Sequence, residues 1–449
     1  MTPLYRCSAC ILAGSFSAFT PALSENPNII MILVDDLGYA DLSCQGVARD
    51  IQTPHIDQLL NGGIRFTNFH ANCPVSSPSR AALLTGKYPD MVGVPGVIRT
   101  HEEDSWGYLS PNAVLLPQML KKAGYHSAII GKWHLGLTPE NSPNARGFDH
   151  FHGFLGDMMD DYTTHLRFGQ NYMRENDRVI TPKGHATELF TDWAIDYVTE
   201  RRDLNDPFFL YLAYNAPHTP IQPPQEYVDR VVKRVPSVEP RRARLVALIE
   251  HLDEHIGRLM SALKANNQLE NTLIVFTSDN GGQADAGANN LPFRGAKQNM
   301  YEGGIRVPAG VYWLNHISPS VNGNFVLLSD LFSTFCELAD VKVDHPIDGM
   351  SVLPLLKGEP QITDDRTVFW VRREGNLQYG GRAYYAARRG DYKILQNTPW
   401  EPMRLFNVAT DSTEQNPMDG KGDPEYTSLF KALMEHVRKS GAVPWQPGK

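Results

Sequence analysis

Four short apolar runs in this chain break off at polar, reactive residues, and this repeated abrupt ending constrains the fold more than any other feature. Ile29-Ile30-Met31-Ile32-Leu33-Val34 stops at Asp35-Asp36, and Ser127-Ala128-Ile129-Ile130 stops at Gly131-Lys132-Trp133-His134. Phe208 to Ala213 leads to Asn215-Ala216-Pro217-His218, and Thr272 to Thr277 stops at Ser278-Asp279-Asn280. Unalternating β-rich runs of this length read as strands buried on both faces of a parallel sheet. Helical stretches lie between them, from Leu115 to Lys122 and from Arg244 to Lys264. The second carries Leu245, Leu248, Leu252, Ile256, Leu259 and Leu263 along one apolar stripe. Strands alternating with helices imply a doubly wound α/β domain, in which ligands bind beyond the carboxyl ends of the strands. All four runs deliver their reactive residues there.

From about Asp364 the texture changes. Thr367 to Val371, Arg382 to Ala387 and Asp391 to Leu395 read as sheet strands, and Tyr426 to Lys439 reads as a helix. The expected fold is therefore a large doubly wound, mixed or parallel sheet flanked by helices, closed by a helix from Asp330 to Leu338. A small C-terminal α+β domain with an antiparallel sheet follows. At 449 residues the chain exceeds one comfortable core. The expected division is 1–24, 25–358 and 359–449. Met1 to Ser24 has the features of a signal peptide: Arg6 near the start, a mainly apolar Ile11 to Phe19, and small residues at Ala22-Leu23-Ser24. Cys7 and Cys10 would leave with it. Cys44, Cys73 and Cys336 then remain, too few and too odd for a disulfide framework. No later stretch reads as a membrane span. The formal charge of −8 gives no sign of nucleic-acid binding, and an anionic substrate would need a local cationic pocket. Without an Asn-x-Ser/Thr sequon, the chain fits a bacterial periplasmic or secreted protein with neither nucleic-acid nor membrane partners.

The residues at the strand ends suggest chemistry. Asp35, Asp36, Asp279 and Asn280 are hard oxygen ligands suited to Ca²⁺ or Mg²⁺ rather than zinc, although adjacent acids also serve as caps and turn formers. Lys132 and His134 point to the same side if the chain stays extended through Trp133. There they offer a point charge for an anion and a proton shuttle, or simply a solvated loop. His218 has Pro217 and Pro220 close by, which would preorganise an imidazole that is otherwise an ordinary surface residue. Ser76-Ser77-Pro78-Ser79-Arg80 opens a helix that Gly86 stops. Ser76 then sits at a helix N-terminus, a natural place for an anion or an ordinary Ser/Pro turn. One further pattern, His251-Leu252-Asp253-Glu254-His255, puts two histidines four apart on a helix, where they can share a metal. No third ligand is suggested by sequence, and the expected reading is a polar face on a long packed helix.

Taken together, these stretches resemble the type I sulfatases of the alkaline phosphatase-like superfamily. The run from Ser76 to Arg80, with Thr85-Gly86 after it, is similar to the signature whose first Cys or Ser a maturation enzyme oxidises to formylglycine (3-oxoalanine). Gly131-Lys132-Trp133-His134-Leu135-Gly136 is similar to a second motif, and Arg294 to Lys297 with Tyr301 to Pro308 to a third. The resemblance runs from Asn28 to the Asp391-Tyr392-Lys393 region. It implies one Ca²⁺ held by Asp35, Asp36, Asp279 and Asn280, with position 76 as a further ligand. It implies that Lys132, His218 and Lys297 bind sulfate, that His134 contacts the formylglycine, and that His218 protonates the leaving alcohol. Asp279 would assist proton removal, and Arg80 would hydrogen-bond the hydrated aldehyde. The implied partners are a sulfated poly- or oligosaccharide and a formylglycine-generating enzyme.

Position 76 departs from the cysteine form, and Cys73 lies three places too early to replace it. Three readings stay open: a serine-type sulfatase, an engineered Cys-to-Ser change, or an unmodified relative. His101, Arg372, Arg373, Arg382 and Arg388 are candidate sugar contacts or ordinary solvated residues. Tyr384 and Trp370 either stack on a sugar or pack the small domain. The alternatives are a phosphodiesterase or phosphonate monoester hydrolase of the same superfamily, and a non-catalytic binder of sulfated glycans.

Overall fold

The structure, a computed structural model, describes residues 26–101, 104–374 and 382–446, the last span beginning with the backbone alone at position 382. The expected leader, with Cys7 and Cys10, lies outside the described residues.

A ten-stranded sheet forms the centre of the molecule. Its strands in chain order are β1 (Asn28–Val34), β2 (Ile64–Phe66), β3 (His126–Lys132), β4 (His150–Phe154) and β5 (Met173–Glu175). They continue with β6 (Arg178–Val179), β7 (Phe208–Ala213), β8 (Thr272–Ser278), β9 (Ala309–Tyr312) and β10 (Ser320–Asn322). In space they run β10-β2-β9-β8-β1-β7-β3-β4-β5-β6. The four runs read from sequence are β1, β3, β7 and β8, adjacent and mutually parallel. β4 continues the parallel set, and β9 and β5 turn the sheet antiparallel on either side. Register does the positioning. Val34 lies beside Ser278, Leu33 beside Ala213, and Ala213 beside Gly131. All four carboxyl ends therefore reach one edge together.

Period two along the strands divides the core into two layers. Ile29, Met31 and Leu33 pack on one face, against α2 (Ser76–Thr85), α3 (Leu116–Leu120) and α7 (Asp330–Leu338). Ile30, Ile32 and Val34 pack on the other, against α1 (Pro54–Asn61), α4 (Ala186–Glu200), α5 (Gln225–Arg234) and α6 (Pro240–Ala265). Leu245, Leu248, Leu252, Ile256, Leu259 and Leu263 of α6 are all buried there. One expectation for that helix is corrected: His251 and His255 are not a polar face. They are 1% and 6% exposed because α4 and α5 pack over them. Among the described residues, no helix is long and apolar enough to cross a membrane. Cys44, Cys73 and Cys336 are free thiols.

The C-terminal sheet has four antiparallel strands, β11 (Val368–Glu374), β12 (Arg382–Arg389), β13 (Tyr392–Gln396) and β14 (Arg404–Asn407). The helix Pro424–Ser440 covers one of its faces. β14 has no apolar run that would announce it; it forms because its backbone groups pair with β13. Trp370 is fully buried and donates its indole N–H to the Ala71 carbonyl at 2.8 Å, so it packs rather than meeting a sugar. Arg388 is buried over the Phe325 ring, and Arg373 bonds Ser440 at 3.0 Å.

The two sheets are pinned by a charge that has no exposure to water. Lys393 of β13 bonds Glu302 at 2.8 Å and Glu414 at 2.7 Å, and Glu302 also bonds His70 at 2.9 Å. Removing one partner of a buried pair costs about 3–5 kcal/mol because the other charge is left uncompensated. Lys393→Met is thus expected to lower the denaturant unfolding free energy by about that amount. A midpoint unchanged from wild type would show that the pin carries no load.

Candidate active site

The strand register builds the site. β1 hands over to Asp35-Asp36, β8 to Asp279-Asn280, β7 to the loop that carries His218, and β3 ends on Lys132. Ser76 is the first residue of α2, and Gly86 ends that helix in the left-handed conformation at φ 66°. Asp36 and His134 are also left-handed, at φ 67° and 59°. Strained backbone of this kind persists where the surrounding structure fixes it, and it clusters at functional sites. The expected extended run through Trp133 is broken accordingly. Gly131 takes φ 105°, where a Cβ would stand 2.0 Å from the Ala213 carbonyl oxygen, so only glycine fits. His134 turns inward in spite of this, and its Nε2 lies 2.9 Å from the Ile98 carbonyl oxygen.

The side chains meet as a buried lattice of charge. Ser76 Oγ donates to Asp35 Oδ1 at 3.0 Å. Lys132 Nζ donates to Asp35 Oδ2, and Lys297 Nζ to Asp36 Oδ2, each at 2.6 Å. Arg80 Nη2 reaches Asp279 Oδ2 at 2.9 Å and Asp35 Oδ1 at 3.6 Å. Arg80 thus faces the carboxylates, with Tyr211 Oη and the Lys132 carbonyl 3.4 Å away. His218 Nε2 lies 3.6 Å from Asp36 Oδ2, and its Nδ1 is 2.7 Å from the Thr219 carbonyl oxygen. Asn280 donates to Asp36 Oδ1 at 2.8 Å. Its own Oδ1 is buried without a partner. The structure therefore brings together Ser76, Arg80, Lys132, His134, His218, Asp279, Lys297, Asp35, Asp36 and Asn280.

Burial and neighbouring charge pull these groups apart in acidity. Burial raises Asp35, but Lys132, His218, Arg80 and Lys297 outweigh it and hold the carboxyl well below its usual range. Burial and the charge on Asp35 push Asp279 up to about 7. Burial lowers Lys132, whereas Lys297 is raised because Asp36 and Asp35 overcome its burial. Burial, with Lys297 beside it, lowers His218. Burial, with Lys132 beside it, holds His134 well below the usual imidazole range. Carboxylates crowded this closely, with an amide oxygen left unpaired among them, fit a hard divalent cation.

The lattice opens into a cavity of about 310 Å³ lined by Ser76, His134, His218 and Lys297. Sequence reasoning missed much of the rest of its wall. Arg99, Asp157, Gln283 and Gln298 line it from loops, and Arg167 from the two-residue strand Leu166–Arg167. The paired charges of Arg167 and Asp157, 3.1 Å apart, are only ten residues distant and gave the one available signal. Arg372 also lines the cavity, but as a buried residue bonded to Glu374 at 2.7 Å rather than a solvated one. Glu374 also pairs with Arg99, so the small sheet supports the wall. Tyr384 lies under the Arg372 guanidinium, and His101 stacks on Phe168 at the surface. The Arg382 side chain lies outside the described residues.

The sulfatase family profile matches residues 27–341, and the profile of the N-sulphoglucosamine sulphohydrolase C-terminal region matches 295–442. Mouse N-acetylgalactosamine-6-sulfatase is 32% identical over 412 residues, covering 86% of this chain and 75% of that protein. Human arylsulfatase A is 32% identical over 400 residues, covering 83% and 75%. The solved structure of Ps i-CgsB in complex with k-i-k-neocarrahexaose has TM-score 0.84 at 31% identity, covering 94% of this chain and 95% of that one. The fold alone is shared with a phosphonate monoester hydrolase of Agrobacterium radiobacter, at TM-score 0.64 and 19% identity over 93% of this chain and 95% of that one.

The raised pKa of Asp279 makes a measurable signature. A carboxyl at about 7 in the fold and about 3.9 in the unfolded chain binds more proton when folded. Its contribution to stability is therefore lost as pH rises between those values. In chelator, wild-type stability is expected to fall relative to Asp279→Asn between about pH 4 and 7. Denaturant midpoints measured in parallel across that window check this; parallel pH profiles would refute it.

Proposed function

This chain belongs to the sulfatase family and is a sulfuric ester hydrolase, and we propose that it removes sulfate from a sulfated poly- or oligosaccharide through an oxidised Ser76 beside a bound Ca²⁺. The observation that carries the reading is the placement of Ser76. Its hydroxyl stands at a helix start, 3.0 Å from Asp35, with Lys132 on that same carboxylate and Lys297 on the neighbouring Asp36. The carbohydrate class rests on the relatives named for N-acetylgalactosamine sulfate and the structure bound to neocarrahexaose. Residues 25–358 carry the reaction in this proposal and 359–449 close the cavity wall. Oxidation of Ser76 requires a formylglycine-generating partner, and the action on external glycans suits a periplasmic or secreted protein.

Asp35, Asp36, Asp279 and the free Oδ1 of Asn280 would hold the calcium ion, an all-oxygen set of the kind that ion takes. Bound there, the ion would polarise position 76 and one sulfate oxygen. As a hydrated aldehyde, position 76 would supply two hydroxyls on one carbon, one to attack sulfur and one whose deprotonation expels sulfate; an unmodified serine has only one. Lys132 and Lys297 offer ammonium groups where charge builds on the sulfuryl oxygens. Asp279, whose Oδ2 lies 2.9 Å from Arg80 Nη2, would assist removal of the proton from the attacking hydroxyl. His218 lines the cavity and carries its proton toward the leaving oxygen. His134, whose Nδ1 is buried without a partner, would receive the second hydroxyl proton.

The first test is the mass of the peptide bearing position 76 from a host that contains the maturation enzyme, expected about two hydrogens lighter than serine. An unmodified mass, or equal sulfate release by Ser76→Ala, would end the proposal. The second test separates roles. Lys297→Ala is expected to lower kcat/KM by about 10²–10³ on every sulfate ester. His218→Ala is expected to cost about 10²–10⁴ on alkyl sulfates and far less on an aryl sulfate whose phenolate leaves without a proton. A uniform loss would remove His218 from the acid role. Faster turnover of phosphonate monoesters than of sulfate esters would favour the alternative enzyme class.

A further inference from the structure

We propose that Glu188, His251 and His255 form a second metal site, specific for a transition ion of the zinc class, that clips α4 to α6 on the face of the large sheet that α1, α4, α5 and α6 cover. One donor atom from each residue lies within 4.8 Å of the donor atoms of the other two. His251 and His255 are one turn apart on α6, and Glu188 projects from the first turn of α4. The third ligand that the sequence pattern lacked therefore comes from a helix far away in the chain.

Three details distinguish this cluster from chance proximity. His255 Nδ1 bonds the His251 carbonyl at 2.8 Å, which fixes the tautomer and leaves the Nε2 lone pair for a metal, as in the outer shell of metal-bound histidines. His251 Nε2 stands 3.3 Å from Glu188 Oε1. That is the edge of a tetrahedron with arms of about 2.0–2.1 Å, the usual zinc distances to nitrogen and oxygen. His251 is 1% exposed and its Nδ1 has no hydrogen-bond partner, so this buried ring meets a charged group through the Nε2 that faces Glu188. His185, with its ring 4.7 Å away, is already committed: Nε2 meets the Gln222 carbonyl at 3.0 Å, and Nδ1 accepts from the Thr187 N–H at 3.2 Å. The Glu188 side chain is 42% exposed, which gives the ion a path and a water the fourth position.

Two imidazoles and a carboxylate select zinc, cobalt or nickel over calcium or magnesium, which prefer oxygen alone. The site is thus chemically distinct from the carboxylate cluster at the strand ends. Its occupant ties α4 to α6 and stabilises the folded state by mass action.

The test titrates ZnCl₂ into the whole protein, first stripped of transition metal and then held in excess Ca²⁺ to protect the oxygen-rich cluster. Wild type, Glu188→Gln and His255→Gln are compared by calorimetry and thermal unfolding. Wild type is expected to bind one zinc more than either variant, or to bind it more than about a hundredfold more tightly, beyond what loss of an outer-shell partner costs. Zinc should raise the unfolding temperature of wild type alone. Cobalt should give the ligand-field bands of a tetrahedral site without sulfur charge transfer, which excludes the three free thiols. Glu188→Gln alters a half-exposed residue, so it keeps the test decisive if His255→Gln folds poorly. Equal zinc affinity in wild type and Glu188→Gln, or no zinc uptake by wild type, would overturn the site.

Discussion

Three carboxylates and three permanent or near-permanent cations share one buried sheet edge, and the rest of the molecule is arranged to hold them there. Asp35, Asp279, Arg80 and Lys132 have no exposure to water. Removing such charges from solvent costs several kcal/mol each, recovered only through close pairing and full hydrogen bonding. That pairing tolerates little displacement, since Ser76, Lys132 and Arg80 all address the same Asp35 carboxylate. A slip of one residue in β1 against β8 would send Asp35 to the opposite face of the sheet. Two apolar layers lock that register.

The same balance makes the edge responsive to ligands. Asp35, Asp36 and Asp279 carry as many formal negative charges as Arg80, Lys132 and Lys297 carry positive ones. A divalent ion seated among the carboxylates competes with the lysines for the same oxygens. Under the proposed function, Lys132 and Lys297 would then be free to face an anion in the adjoining cavity. The raised value of Asp279 expresses the same crowding: with Asp35 kept ionised by its neighbours, the third acid holds its proton more tightly.

Much of this edge was legible because strand ends and reactive residues coincide in sequence. Asp35 follows an apolar run directly, and Lys132 and Asp279 one residue later, so placing the strands placed the chemistry. Lys297 and Arg80 lie outside such runs and were legible only through resemblance. Residues that depend on chain reversals were not. No periodicity announces β2, β9 or β10, which are three or four residues long and are held each by its neighbour, β9 by β8, β2 by β9 and β10 by β2. The left-handed turns at Asp36 and His134 are likewise products of tertiary packing, because neither residue type demands a positive φ on its own. Extended geometry was the natural expectation past Lys132, and the real backbone brings His134 inward by a different route.

The cavity wall carries this argument one step further. Arg99 and Arg372 meet on Glu374, the last residue of β11. A cationic wall is therefore steadied by a carboxylate from the small sheet, and that sheet is itself fastened by Lys393 between Glu302 and Glu414. Packing of the C-terminal sheet is then a condition for the shape of the cavity. A sequence shows Arg99 and Glu374 as unrelated charges 275 residues apart. Only the fold makes them one support, just as only the fold sets Glu188 beside His251. Chemistry at a strand end is local information, whereas the partner that holds a side chain in place is a property of the whole topology.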